Sequence, residues 1–125
     1  MAIEIAIAVV ERDGQFLIGL RPPGVRFAGY WEFPGGKALA GESTAVAAER
    51  ECFEETGLRV AARSSLLRVS EAAADLQLDF IACEAVDGDA LPLPPFRWVA
   101  RAELAQYRFP PANDSVIELL LGHGR

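Results

Sequence analysis

Gly36-Lys37-Ala38-Leu39-Ala40-Gly41-Glu42-Ser43-Thr44-Ala45-Val46-Ala47-Ala48-Glu49-Arg50-Glu51-Cys52-Phe53-Glu54-Glu55-Thr56-Gly57-Leu58 is the stretch on which the reading of this chain turns. Its middle predicts a helix. Ser43 or Thr44 can cap the start, Ala45 to Glu51 are mostly good helix formers, and Gly57 stands where a helix stops. On that helix Glu51, Glu54 and Glu55 are related by i,i+3 and i,i+4 spacing, so they project from neighbouring positions on one face. Three adjacent carboxylates repel one another, and helix energetics offers nothing in return. The arrangement makes sense if a hard divalent cation neutralises it. Mg2+ takes oxygen ligands and completes its shell with water and phosphate oxygens. Arg50 can reach Glu42 or Glu54 and hold them in place, the support that metal sites need around their ligands.

Working outward, Ile3–Val10 is rich in isoleucine and valine and reads as a buried strand. Asp13-Gly14 signals a hairpin turn, and Gln15–Leu20 is the returning strand. Arg21–Tyr30 holds two prolines and two glycines and reads as a loop. Trp31-Glu32-Phe33 is a short strand that Pro34-Gly35-Gly36 breaks. Downstream of the helix, Arg59–Ser70 and Leu76–Glu84 read as strands, the latter with Leu76, Leu78, Phe80 and Ala82 on one face and Gln77, Asp79, Ile81 and Cys83 on the other. Ala85–Pro95 is a Gly/Pro-rich loop, Trp98-Val99 a short strand, Arg101–Ala105 a helical turn and Asp114–Leu121 an amphipathic helix. A mixed sheet flanked by helices follows, the α/β class.

The 125 residues, 51% hydrophobic and 24% charged, suit one soluble domain over residues 1–125. No apolar run is long enough to span a bilayer and the N-terminus lacks a basic region, so no membrane association is expected and the default compartment is the cytoplasm. Cys52 and Cys83 sit inside apolar elements and read as small buried hydrophobes. With no CxxC or His/Cys cluster, and His123 alone near the end, a zinc site is not expected. A net charge of −6 argues against binding a nucleic-acid polymer, which calls for a basic face. It is compatible with a polyphosphate held through divalent cations. Monomer and homodimer are both open.

The spacing Gly36-x5-Glu42-x7-Arg50-Glu51-Cys52-x-Glu54-Glu55-x-Gly57-Leu58 fixes seven residue types, a pattern met by chance on the order of once in 10^8 starting points at average usage. It resembles the Nudix box, with Cys52 and Leu58 in the hydrophobic positions. Trp31-Glu32-Phe33-Pro34-Gly35-Gly36-Lys37 is similar to the lead-in of MutT-type Nudix enzymes, and Phe109-Pro110-Pro111-Ala112-Asn113 to their base-recognition segment.

The resemblance implies an α/β/α sandwich around a mixed sheet. It also implies Mg2+- or Mn2+-assisted hydrolysis of a nucleoside triphosphate to the monophosphate and pyrophosphate. For the MutT type this is 8-oxo-dGTP hydrolysis, which cleanses the nucleotide pool before damaged bases enter DNA. By position it assigns metal ligation to Glu51, Glu54 and Glu55 with the Gly35 carbonyl, and the catalytic set to Glu51, Glu54 and Arg50. It places Arg21, Phe33, Lys37 and Asn113 at the substrate. Arg21 reads equally as an ordinary loop arginine, Lys37 as an exposed turn lysine, and Asn113 as a helix cap. Other open readings are CTP or a modified pyrimidine nucleotide as substrate, and an inactive nucleotide-binding module. The sequence departs from the MutT pattern at three places. Leu39 stands where a Glu is common, Ala73-Ala74 replaces an Asp-Arg pair, and Leu91-Pro92-Leu93-Pro94-Pro95 lacks a loop Glu. The base therefore lies on the box helix, or is Asp87 or Asp89, or no dedicated base is needed.

Overall fold

The computed structural model describes residues 2–122, so His123 lies outside the described residues. The chain runs β1 (Ile3–Arg12), β2 (Gln15–Leu20), β3 (Trp31–Glu32), β4 (Gly35–Lys37), α1 (Thr44–Thr56), β5 (Val60–Glu71), β6 (Leu76–Ala85), β7 (Phe96–Ala100) and α2 (Asp114–Leu120). Short 3-10 turns occupy Ala72–Ala74, Arg101–Gln106 and Pro111–Asn113. The strands form one mixed sheet with β3-β2-β1-β6-β5 in order, β4 joined to β1 and β7 to β2. β1 and β6 are parallel from Ile3↔Leu76 to Glu11↔Glu84, and the other pairings are antiparallel.

β1 divides its second edge between two partners. Ile5, Ala6 and Ile7 pair with Lys37, Gly36 and Gly35 of β4, whereas Glu11 and Arg12 pair with β2. The hairpin between β1 and β2 turns at Asp13 and Gly14, both with positive φ (52° and 78°), which is the turn that matches strand twist. Pairing of β4 corrects one expectation. Pro34-Gly35-Gly36 does not end the extended chain; it only interrupts it, because two glycines without side chains can lie directly against β1.

Alternation along the strands builds two cores, one on each face of the sheet. Ala6, Ala8 and Val10 pack with Ala47, Ala48, Cys52 and Leu58 on the α1 side. Val9, Phe16, Ile18, Phe80 and Val99 pack with Leu104, Val116 and Leu120 on the α2 side. The sandwich expected from the sequence is thus present. Alanines on both partners let α1 sit close to β1. Phe16, Leu17 and Ile18 are consecutive and buried, because β2 has packing on both faces; each contributes roughly 1.5–3 kcal/mol by leaving water. Both cysteines are buried and free, and burial pushes the thiols up to about 11 for Cys52 and about 12 for Cys83. Cys52 also lies 3.5 Å from the hydroxyl of Thr56. No helix among the described residues is long and apolar enough to cross a membrane.

Candidate functional site

α1 begins with a hydrogen bond from the Val46 N–H to Ser43 Oγ at 3.1 Å, so Ser43 and not Thr44 is the cap. Thr44 instead donates to the buried Asp79 at 2.7 Å and ties the helix start to β6. Gly57 ends the helix at φ 77°, a left-handed conformation that glycine adopts without a Cβ clash. Between these caps, the acidic face of α1 lies against β4. The Gly35 N–H donates to Glu55 Oε1 at 3.2 Å. A Cβ on Gly36 would fall on the Glu51 carboxylate, and one on Gly35 would run into the Ala6 carbonyl of β1. The two glycines are therefore what lets the acidic face approach the sheet.

Arg50 is the organising cation. Its Nε and Nη2 donate to the two oxygens of Glu42 at 2.8 and 2.9 Å, its Nη1 reaches Glu54 at 3.2 Å, and it stands 3.6 Å from Glu51. Nη2 also donates to the Lys37 carbonyl. The paired fork on Glu42, with the Leu39 N–H bonded to the same carboxylate, holds Glu42 down at about 2. Glu42 and Glu54 are held as the sequence suggested.

The remaining acids are shifted the other way. Burial raises Glu55 to about 7, against the Gly35 hydrogen bond, and Glu51, Glu32 and Glu54 add repulsion. Glu51 is raised by burial, with Arg50 opposing and Glu54 and Glu42 adding to it. Glu32 is raised by burial despite its Arg21 partner. Half-buried carboxylates that repel one another and offer only oxygen donors are a set suited to a hard divalent cation, whose charge would reverse these penalties. Among the described residues no three acidic, histidine or cysteine side chains already converge on a common point. Arg50 holds Glu54 and the Gly35 N–H holds Glu55, so these two carboxylates have different partners.

Next to this face lies a cavity of about 310 Å3 lined by Arg21, Glu32, Phe33, Gly35, Gly36 and Asn113 among others. It brings together residues far apart in sequence. Phe33 is buried and stacks on Phe109, with centroids 5.1 Å apart and planes at 25°. Arg21 donates to Glu32 at 2.6 Å and to the Arg26 carbonyl at 2.8 Å, so it is more than a loose loop arginine. Asn113 makes no side-chain capping bond to α2. Its Nδ2 donates instead to the Pro110 carbonyl at 3.1 Å. Lys37 is the candidate set apart: it lines a separate groove with Glu4, Leu39 and Arg68.

Three charged cavity residues carry no assignment from the sequence. Glu32 had a local signal, a lone acid between two aromatic residues. Arg26 and Glu71 had none, since their meeting at 2.5 Å joins positions 45 residues apart.

Of the two loop aspartates, Asp87 has a backbone partner. Asp87 Oδ2 accepts the Arg59 N–H at 2.8 Å, just beyond the end of α1. Replacing Asp87 and Asp89 together with Asn should leave kcat within about tenfold of wild type. A loss beyond about a hundredfold, the low end for removing a general base, would put the base in this loop.

The family model of the NUDIX domain matches residues 5–119. The chain is 32% identical over 130 residues to an 8-oxo-dGTP diphosphatase of Haemophilus influenzae, covering 95% of this chain and 91% of that one. It is 46% identical over 56 residues to a CTP pyrophosphohydrolase of Escherichia coli, a match that takes in 45% of this chain and only 42% of the relative's length. Among solved structures, a MutT from a study of Aliivibrio salmonicida and Vibrio cholerae superposes with a TM-score of 0.79 at 32% identity, covering 96% of each chain.

Proposed function

Because the chain belongs to the NUDIX family, we propose that it is a divalent-cation-dependent nucleoside triphosphate diphosphatase, acting on an oxidised purine nucleotide such as 8-oxo-dGTP and working in the cytoplasm. The observation that carries this reading is the position of the cavity. Arg21, Phe33 and Asn113 share it with Gly35 and Gly36, and these glycines touch Glu55 and Glu51 on the acidic face. A nucleotide with its base in the cavity thereby has its phosphates beside the carboxylates.

Glu51, Glu54 and Glu55, with the Gly35 carbonyl, would hold Mg2+ or Mn2+. The ion supplies charge neutralisation of the polyphosphate and polarisation of the attacked phosphoryl group. Arg50 fixes Glu54 and Glu42 and keeps the acidic face in register with β4. Phe33 supplies an apolar wall for the base, and burial around Glu51 and Glu55 limits water at the reacting end. Glu51 and Glu54 are the groups on α1 that would accept a proton. In this reading the products are the nucleoside monophosphate and pyrophosphate, and the role is to keep damaged nucleotides out of DNA.

Asn113 reads the base. Its amide offers an acceptor and a second N–H beyond the one given to Pro110, which suits the mixed edge of a guanine. Asn113→Ala should raise KM for the preferred purine by roughly ten- to a hundredfold, as expected when a buried polar contact is lost, and should spare CTP. Because no capping bond is present, the melting temperature should move less than the loss of about 1 kcal/mol expected for a removed cap. Kinetics on 8-oxo-dGTP, dGTP and CTP beside a thermal melt give the answer. A parallel fall in all three kcat/KM values would remove Asn113 from base reading. The E. coli relative named a CTP pyrophosphohydrolase favours a second reading, CTP or a modified pyrimidine nucleotide as substrate; CTP as the best wild-type substrate would put it first.

A further inference from the structure

We propose that Glu71, at the end of β5, is a second specificity-determining residue of the base cavity, and that it selects guanine-type bases by accepting hydrogen bonds from N1–H and the 2-amino group. The proposal rests on the nucleotide-hydrolase reading above and names which base edge that site takes.

Glu71 lines the same cavity as Phe33 and Asn113. It is not an acid turned fully to water, since only 21% of its side chain is exposed. Its one ion-pair partner among the described residues is Arg26, which reaches Oε1 from the loop between β2 and β3. No hydrogen bond engages Oε2 among the described residues. Leu76, Leu78 and Phe27 make part of the same lining apolar, beside the charged Arg21, Arg26 and Glu32. A carboxylate oxygen in such a setting gains most from a ligand that brings N–H donors.

Base chemistry then decides which ligand. A carboxylate only accepts, through two oxygens a fixed distance apart. Guanine presents two donors side by side, N1–H and the 2-amino group, and 8-oxidation leaves that edge unchanged. Cytosine presents one amine beside the N3 lone pair, and adenine one amine beside the N1 lone pair. Either would set a lone pair against an oxygen of Glu71. A site built around a hydrogen-bonding group rejects a ligand that lacks its partner far more strongly than an apolar pocket rejects a change of size. Arg26 orients the carboxylate without competing for the free oxygen. A second hollow of about 350 Å3 adjoins the first and shares Arg26, Phe27, Glu71 and Ala112 with it, so the pair borders open space on both.

The test compares the wild-type protein, Glu71→Gln and Arg26→Ala on 8-oxo-dGTP, dGTP, dITP and CTP in Mg2+, with a thermal melt of each. dITP keeps N1–H and lacks the 2-amino group. Glu71→Gln should raise KM for 8-oxo-dGTP and dGTP by about ten- to a hundredfold with kcat little changed, and should leave CTP unaffected or improved. Arg26→Ala should keep the order of preference. The wild-type protein should prefer dGTP to dITP, and Glu71→Gln should erase most of that difference. If Glu71→Gln and Arg26→Ala instead lower kcat/KM equally for every nucleotide, the pair only latches the loop and the proposal falls. If Glu71→Gln does not fold, the wild-type dGTP-to-dITP ratio decides, and a ratio near one overturns the proposal. A wild-type protein that turns over CTP but no guanine nucleotide overturns both this proposal and the purine reading beneath it. Guanine turnover with unchanged preference in Glu71→Gln overturns this proposal alone.

Discussion

Glu54→Gln and Glu55→Gln are each expected to lower kcat by roughly a thousandfold at saturating Mg2+, because each removes a charge that a bound cation and the developing phosphoryl charge both depend on. Retention of more than a tenth of wild-type kcat by both variants would refute the assignment. The structure adds a difference between the two. Glu54 is half exposed and linked to Arg50 at 3.2 Å, whereas Glu55 is raised to about 7 by burial and neighbouring acids.

A raised carboxylate pKa has a definite sign. Between the ordinary value of 4.5 and about 7 the folded form of Glu55 holds more proton than the unfolded form. The ionised group therefore weakens the metal-free fold as pH rises through that window. Neutral Gln relieves this penalty. In the presence of a chelator, the melting temperature of Glu55→Gln should equal or exceed wild type at about pH 8, and the difference should vanish below about pH 4.5. A variant that loses activity while melting no lower than wild type separates a functional carboxylate from a structural one. A fall in melting temperature at that alkaline pH would mean that the Gly35–Glu55 hydrogen bond outweighs the burial penalty.

The second large effect is expected at Gly36. An added Cβ meets the Glu51 carboxylate, the far end of a side chain that can swing away, and not the backbone. Gly36→Ala should therefore fold and bind nucleotide, yet lose activity by about a hundredfold, the cost of misplacing a reacting group by roughly 1 Å. Gly35→Ala is the contrasting case. Its Cβ would meet the Ala6 carbonyl and lie 2.9 Å from Ile7 Cα, so the β1–β4 pairing itself has to open and the melting temperature should fall. Full activity in Gly36→Ala would show that Glu51 does not need its observed place.

The helix with its acids was legible because every relation in it is local. A cap, a helical period and a left-handed glycine stop are written within one short stretch, and Arg50 reaches Glu42 and Glu54 from only eight and four residues away. The strands were legible from apolar runs and from the Asp13-Gly14 turn. β4 was missed because its signal is the absence of side chains, which reads as a break until a partner strand is known. The Arg26–Glu71 pair and the share of Glu32 in the acidic cluster depend on how the sheet brings the β2–β3 loop, β5 and α1 together, and no spacing rule reports that. Asn113 was readable as a candidate, but that its amide bonds to Pro110 in place of a cap is visible only in the structure.

Whether the protein is a metal-dependent diphosphatase is decided by a nucleotide panel containing 8-oxo-dGTP, dGTP, dATP and CTP, incubated with the wild-type protein in Mg2+ and again with the metal chelated, and read for monophosphate and pyrophosphate. The proposed diphosphatase reaction gives both products in equal amounts, with 8-oxo-dGTP used best and no turnover when the metal is removed. Orthophosphate with a nucleoside diphosphate, turnover that survives chelation, or no turnover of any nucleotide would contradict it.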